Sequence, residues 1–253
     1  MGAAWLLGIV QGLTEFLPVS SSGHLVVLRD VLGVRQGGAA WEVALHLGTL
    51  AALVIGLAPR LEAWMRRWRR GDPVARRLVL MILWGTVPAA LTGLLAGQAL
   101  VPLLFRPKTA ACGFMATSVA LWTTPPPGRG QRTLDDLRLG DALVVGLAQA
   151  VAIVPGLSRS GATMAAARWC GLAPDAAAEL SFLLAIPVTM GAVVLQRSAI
   201  AALGMAAGVG AVAALAAGLL ALRAAFTALA APRWWRPLGL YTMMMAIWAA
   251  VLG

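Results

Sequence analysis

The chain has 253 residues, 60% of them hydrophobic and only 12% charged, with a mean hydropathy of +0.83. A soluble domain is about half apolar and about a quarter charged, so this composition excludes one and points to an all-α polytopic membrane protein. The long Ala/Leu/Gly-rich runs exclude a β-barrel, which alternates over segments of roughly ten residues. The formal charge of +10 resides in arginines between apolar runs. There they act as topology signals and contacts to anionic membrane lipids, not as a nucleic-acid surface.

The N-terminus has no basic leader and Glu15 interrupts its first apolar stretch, so no cleavable signal peptide is expected. Segments 4–17 and 24–33 are too short to cross a bilayer and are split by Pro18 and Gly23. Spans follow at about 39–58, 78–100 and 109–124. A second broken pair, 141–154 and 162–171, is split by Pro155, Gly156 and Gly161, and spans at 175–195, 199–222 and 237–253 complete the chain. Short helices around a Pro/Gly break predict re-entrant hairpins, whose irregular backbone needs protein or a polar cavity to satisfy it. Asp135 and Asp136, ahead of the second pair, read as helix-start acids. Cys112 and Cys170 read as packing residues, without metal spacing or a disulfide.

The two broken regions resemble each other. A shift of 138 places Gly8 on Gly146, Gln11 on Gln149, Ser20 on Ser158, Ser22 on Ser160, Gly23 on Gly161 and Gly33 on Gly171. Each half, about 1–124 and about 135–253 of a single membrane domain, then holds one hairpin and three spans. An odd number of crossings inverts the second half relative to the first, which is the inverted-repeat architecture. With the 60–77 loop cytoplasmic, thirteen basic residues fall on that side and five (Arg29, Arg35, Arg106, Lys108 and Arg197) on the other. The remaining two, Arg159 and Arg168, belong to the second hairpin. Both termini are therefore expected outside.

The chemistry-bearing residues sit at the breaks. Glu15, four residues after Gln11 and on the same helical face, is either a carboxylate satisfied by packing or a general base or metal ligand facing a polar pocket. His24 lies nine residues on, across the break, where it could meet Glu15 and transfer a proton, or simply pack. Ser20, Ser21 and Ser22 could cap the next helix, or one of them could be a nucleophile with Glu15 or His24 as its base. Arg159 would be stranded in a bilayer without an anion; it fits a phosphate bidentately, or it forms a structural pair with Glu15. Gly156 and Gly161 permit close backbone approach, and the helix starts near 24 and 162 would aim N–H groups at an anion. Glu42 and His46, also four apart, read as packing or interfacial groups.

At Gln11-Gly-Leu-Thr-Glu15-Phe-Leu-Pro-Val-Ser-Ser-Ser-Gly-His24 and Pro155-Gly-Leu-Ser-Arg159-Ser-Gly-Ala-Thr163 the chain resembles the bacterial undecaprenyl-diphosphate phosphatase, or bacitracin-resistance, family. The likeness extends to Ala44–Thr49, Leu134-Asp135-Asp136 and Glu179–Phe182. It implies hydrolysis of a polyprenyl diphosphate lipid to its monophosphate in the bacterial cytoplasmic membrane, recycling the lipid carrier of cell-wall synthesis. It also implies inverted repeats with re-entrant helices and support by Mg²⁺ or Ca²⁺. Glu15, Ser21, His24 and Arg159 match the family's functional residues. Gln11, Ser22, Gly23, Ser158, Ser160, Gly161 and Thr163 are expected to contact substrate, and Glu15 the metal. Some members carry Glu where this chain has Gln11, which cannot act as a base. The rival reading is an inverted-repeat transporter or flippase; a purely structural lipid-binding protein fits the costly Glu15 and Arg159 less well. The sequence leaves oligomeric state open, a homodimer included.

Overall fold

A computed structural model describes residues 1–34, 38–95, 103–125, 130–229 and 234–253. These residues are helical, with one isolated bridge between Arg132 and Leu172 and no strand. The order is α1 (Gly2–Glu15), α2 (Ser21–Val31), α3 (Gly38–Arg69), α4 (Pro73–Leu95), α5 (Pro107–Thr123), α6 (Leu139–Val151), α7 (Arg159–Trp169), α8 (Pro174–Leu195), α9 (Arg197–Ala202), α10 (Met205–Leu229) and α11 (Trp235–Leu252).

Four helices among the described residues are long and apolar enough to cross a membrane: Ala40–Arg69, Pro73–Leu95, Pro174–Leu195 and Met205–Phe226. The protein is thus a multi-pass membrane protein, with large apolar side chains such as Trp84, Leu147 and Leu220 exposed on its flanks. Two of the six expected spans, α5 and α11, fall outside that set; α5 has only 17 residues. The span expected to end near residue 58 continues helically through Pro59 to Arg69, carrying Arg60, Arg66, Arg67 and Arg69 on its extension. A proline removes one backbone donor but does not force a stop where the flanking residues favour a helix. The span expected at 199–222 is divided at Gly204, whose φ of +60° ends α9 and lets α10 begin. Residues 96–100, the expected end of the second span, lie outside the described residues, as do Arg35, Arg129 and Arg233.

Small residues set the packing. α1 lies along α10. A Cβ on Gly8 would fall 2.8 Å from the Ala213 Cβ, and one on Gly12 would fall 2.6 Å from the Ala214 carbonyl oxygen. Bare glycines four apart let two backbones approach where Leu would hold them apart. α6 lies along α4 by the same device, with Gly146 set against the Gly85 backbone. α5 lies along α11, and α3 contacts both α10 and α8. One core cluster, including Phe16, Leu57, Met164, Phe182 and Leu222, joins the two halves of the chain.

At the polar end of α3, Arg67 donates to Asp72 at 2.7 Å and, through both terminal nitrogens, to Asp135 at 3.1 and 3.2 Å. The Arg67 hydrogen bond holds the Asp72 carboxyl below its usual range. Asp135 and Asp136, expected as helix-start acids, lie in a short 3₁₀ turn, Leu134–Asp136, ahead of α6, and Asp135 also ties that turn to α3. Asp136 closes a reciprocal capping box with Thr133 at the start of that 3₁₀ turn. Cys112 is exposed on α5 and not packed, and both cysteines are free.

Candidate active site

Both broken helical pairs turn on a serine. The Ser20 Oγ accepts from the Gly23 N–H at 3.3 Å, and the Ser158 Oγ accepts from the Gly161 N–H at 3.1 Å. The breaks span Phe16–Ser20 and Ala152–Ser158, so Gly23 and Gly161 lie inside the first turns of α2 and α7 and not at the breaks. Ser20 holds φ at +66°, a left-handed conformation costly for a side-chain-bearing residue. α2 and α7 also end alike. Gly33 and Gly171 take φ of +67° and +87°, and the N–H groups of Val34 and Leu172 reach back to Arg29 and Ala167 at 2.9 and 3.1 Å. Only glycine adopts this closing turn without strain.

The two breaks touch. A Cβ on Gly23 would fall 2.7 Å from the Gly156 Cα, and one on Gly161 would fall 3.3 Å from the Pro18 Cβ. Thr117 of α5 secures the second break, donating to the Gly156 carbonyl and accepting from the Ser158 N–H, both at 2.8 Å. Ser160 donates across to the Leu17 carbonyl at 3.0 Å.

Glu15 stands at this junction, 7% exposed. Its Oε1 accepts from Arg159, the expected partner across the breaks. Its Oε2 accepts from the Ser21 hydroxyl at 2.5 Å and from Gln11 Nε2 at 2.8 Å, with His46 Nε2 at 3.4 Å. Arg159 also donates to Thr189 of α8 at 3.2 Å. Its fork has five N–H donors, so pairing with Glu15 and Thr189 does not exhaust it. Acid, hydroxyl and guanidinium thus meet in one hydrogen-bonded group.

The group lines a cavity of about 940 Å³. Ser20, Ser21, Ser22, Ser158, Arg159 and Ser160 form its polar wall, while α4 and α8 supply an apolar one that includes Ala90, Leu94, Val188 and Leu195. Four expected substrate contacts are not among the lining residues. Gln11 is wholly buried behind Glu15, and Gly23 and Gly161 are spent on close packing and caps. Thr163 bonds Ser181 at 2.6 Å between α7 and α8. His24 is also absent from the wall. Its Nδ1 bonds the Ser20 carbonyl and its Nε2 the Tyr241 hydroxyl, each at 2.6 Å, and its ring stacks on Tyr241. The histidine beside Glu15 is His46, not His24.

Glu42 and His46 therefore belong to the cavity, although the sequence suggests packing. His46 Nδ1 bonds the Glu42 carbonyl at 2.6 Å, which turns Nε2 toward Glu15. Their spacing of four was the available signal; nothing in the sequence says which face of α3 meets the hairpins. Gln149 and Thr189 also line the cavity.

Among the described residues no three His, Cys, Asp or Glu side chains gather as a metal cage. Glu15, the expected metal ligand, accepts from Arg159 on Oε1 and from Ser21 and Gln11 on Oε2. Glu42 Oε1 is buried without a partner on the same cavity. One carboxylate together with substrate phosphate oxygens and water suits Mg²⁺, which rarely takes an all-protein cage.

The family model for bacitracin resistance protein BacA matches residues 4–248. The chain belongs to that family. It is 41% identical over 194 residues to the undecaprenyl-diphosphatase of Carboxydothermus hydrogenoformans, covering 76% of this chain and 72% of that one. It is 40% identical to the Gemmatimonas aurantiaca undecaprenyl-diphosphatase over 76% of this chain and 74% of that one. The Rubrobacter xylanophilus undecaprenyl-diphosphatase is 40% identical over 81% of this chain and 78% of its own.

Proposed function

We propose that this BacA-family member is a membrane phosphatase that converts undecaprenyl diphosphate to the monophosphate and inorganic phosphate. The observation that carries the reading is the contact of Ser21 and Arg159 with opposite oxygens of one buried carboxylate, Glu15, in a cavity with one apolar wall. The apolar wall takes the prenyl chain. The diphosphate meets the unspent donors of Arg159 and the start of α7, where the helix dipole is positive.

Phosphoryl transfer depends on positioning and charge stabilisation more than on covalent work by the protein. Glu15 accepts the Ser21 proton as Ser21 Oγ attacks the terminal phosphorus. The bridging P–O bond breaks and the prenyl monophosphate leaves, taking the proton from Glu15, with its charge balanced by Arg159. The freed Glu15 carboxylate then deprotonates water, which attacks the phosphoserine; the Ser21 P–O bond breaks, inorganic phosphate leaves, and Glu15 returns the proton to Ser21 Oγ. Glu42 would hold a divalent cation, which supplies charge neutralisation to the diphosphate. Glu42→Gln should then raise the Mg²⁺ concentration needed for half-maximal rate.

The matching serine caps, glycine closures and glycine-packed contacts of α1–α2 and α6–α7 support two inverted repeats, each a re-entrant hairpin with three crossings. The arginine distribution supports placing residues 60–77, the arginine-rich end of α3 and the turn into α4, in the cytoplasm beside a bacterial inner membrane. The test is release of inorganic phosphate from a long-chain prenyl diphosphate by the detergent-solubilised protein. With no gradient present, a transporter releases none, and absence of release would end the phosphatase reading.

A further inference from the structure

In α1, the Gln11 amide donates to Glu15 one helical turn on. The 138-residue shift places Gln149 on Gln11, and Ile153 on Glu15. The second hairpin therefore keeps the amide and lacks the carboxylate that would occupy it. Gln149 is only 4% exposed, and neither its Nε2 nor its Oε1 has a hydrogen-bond partner among the described residues. It also lines the same cavity as Ser21, Arg159 and Ser158. A buried amide without partners is unfavourable, and such a group on a cavity wall is explained when a ligand completes it.

An amide presents two donors and an acceptor side by side. The matching ligand must accept and donate at once. A terminal phosphoryl group bearing one proton does both, as does the inorganic phosphate it becomes. A prenyl chain does neither. We propose that the Gln149 amide is a substrate-binding group for the terminal phosphoryl group: Nε2 donates to a phosphoryl oxygen and Oε1 accepts from P–OH. Gln149 then retains the released phosphate on the wall that Arg159 shares. The assignment rests on the phosphatase reading above.

Gln149→Met keeps the volume and removes both polar functions; Gln149→Glu keeps the shape and sets a negative charge against phosphate. Each full-length protein is assayed in detergent by chromatography of the prenyl monophosphate, with inorganic phosphate and a prenyl alcohol as inhibitors. Loss of a hydrogen bond to a charged ligand predicts a KM and an inorganic-phosphate Ki raised roughly 10- to 100-fold in Gln149→Met, and more in Gln149→Glu. The prenyl-alcohol Ki should hold. The melting temperature of Gln149→Met should stay level or rise, because an unsatisfied buried amide is gone. A KM and phosphate Ki within about twofold of wild type in folded Gln149→Met and Gln149→Glu would overturn the assignment, and so would a raised prenyl-alcohol Ki with unchanged phosphate Ki. If Gln149→Met fails to fold, Gln149→Glu carries the same comparison. Wild-type protein that forms no monophosphate would instead bring down the phosphatase reading itself.

Discussion

The first broken pair, α1–α2, carries Gln11, Glu15 and Ser21; the second, α6–α7, carries Gln149, Ile153 and Arg159 at the corresponding places. Ser20 and Ser158 cap alike, Gly33 and Gly171 close alike, and Gly8 and Gly146 each sit against a neighbouring backbone. The two differ at the residues of the buried cluster. Ser21 and Arg159, the first residues of α2 and α7, approach the same carboxylate from opposite sides. One broken pair thus supplies the carboxylate and hydroxyl of the cluster and the other its guanidinium. Neither pair alone contains the cluster.

That division predicts the largest losses when either pair's contribution is removed. On the covalent route Ser21→Ala should stop turnover essentially completely, and acid quenching of wild type during turnover should trap a phosphoserine that the variant lacks. Measurable turnover in folded Ser21→Ala would replace serine attack with attack by water. Glu15→Gln should cost roughly 10²–10⁴-fold, the range for a general base. Arg159→Lys keeps the charge but loses the planar fork and should cost roughly 10²–10³-fold. Near-wild-type rates for both would dissolve the shared site.

The histidines sharpen the contrast. His24 has no counterpart in the second pair, where Ala162 corresponds, and it braces the left-handed Ser20 from outside the cavity. Proton transfer by His24 would cost ~10²–10⁴-fold on its removal with stability intact. Bracing instead makes His24→Ala lose melting temperature and rate together, and makes Tyr241→Phe, which deletes one hydrogen bond, cost about 1 kcal/mol. Thermal unfolding measured beside kcat separates these outcomes.

Smaller effects test the scaffold. Gly8→Val and Gly146→Val should each destabilise by about 1–3 kcal/mol through overpacking, read as melting temperature in detergent. A large loss at only one of them would show that the two contacts are not equivalent. Single cysteines in the 70–72 turn between α3 and α4 should be shielded from an impermeant thiol reagent in intact cells and those at 103–107 labelled, with activity unchanged. The reverse pattern would invert the orientation and leave the chemistry as it stands.

Composition and pattern alone determined that the chain is helical and membrane-embedded and that helices break near Pro18 and Pro155–Gly156, but not that α3 runs through Pro59 or that a break falls at Gly204. Bilayer length and hydropathy are properties of sequence windows, and Pro18, Pro155 and Gly156 interrupt helices locally. Glu15 and Arg159 were legible too, because a charge in an apolar stretch stands out without any fold; Ser21 was set apart from Ser20 and Ser22 only by the family resemblance. Tertiary structure decided what those residues face. The sequence favours His24 for proton transfer and reads His46 as a packing or interfacial group, and only the packing of α3 against the breaks puts His46, not His24, beside Glu15. Gln11 and Gln149 are likewise the same residue at matching places. One turn further on, a carboxylate occupies the first, whereas the second stands on the cavity wall with its amide unspent. Residues far apart in sequence share a site only through helix packing, and no local window records that contact.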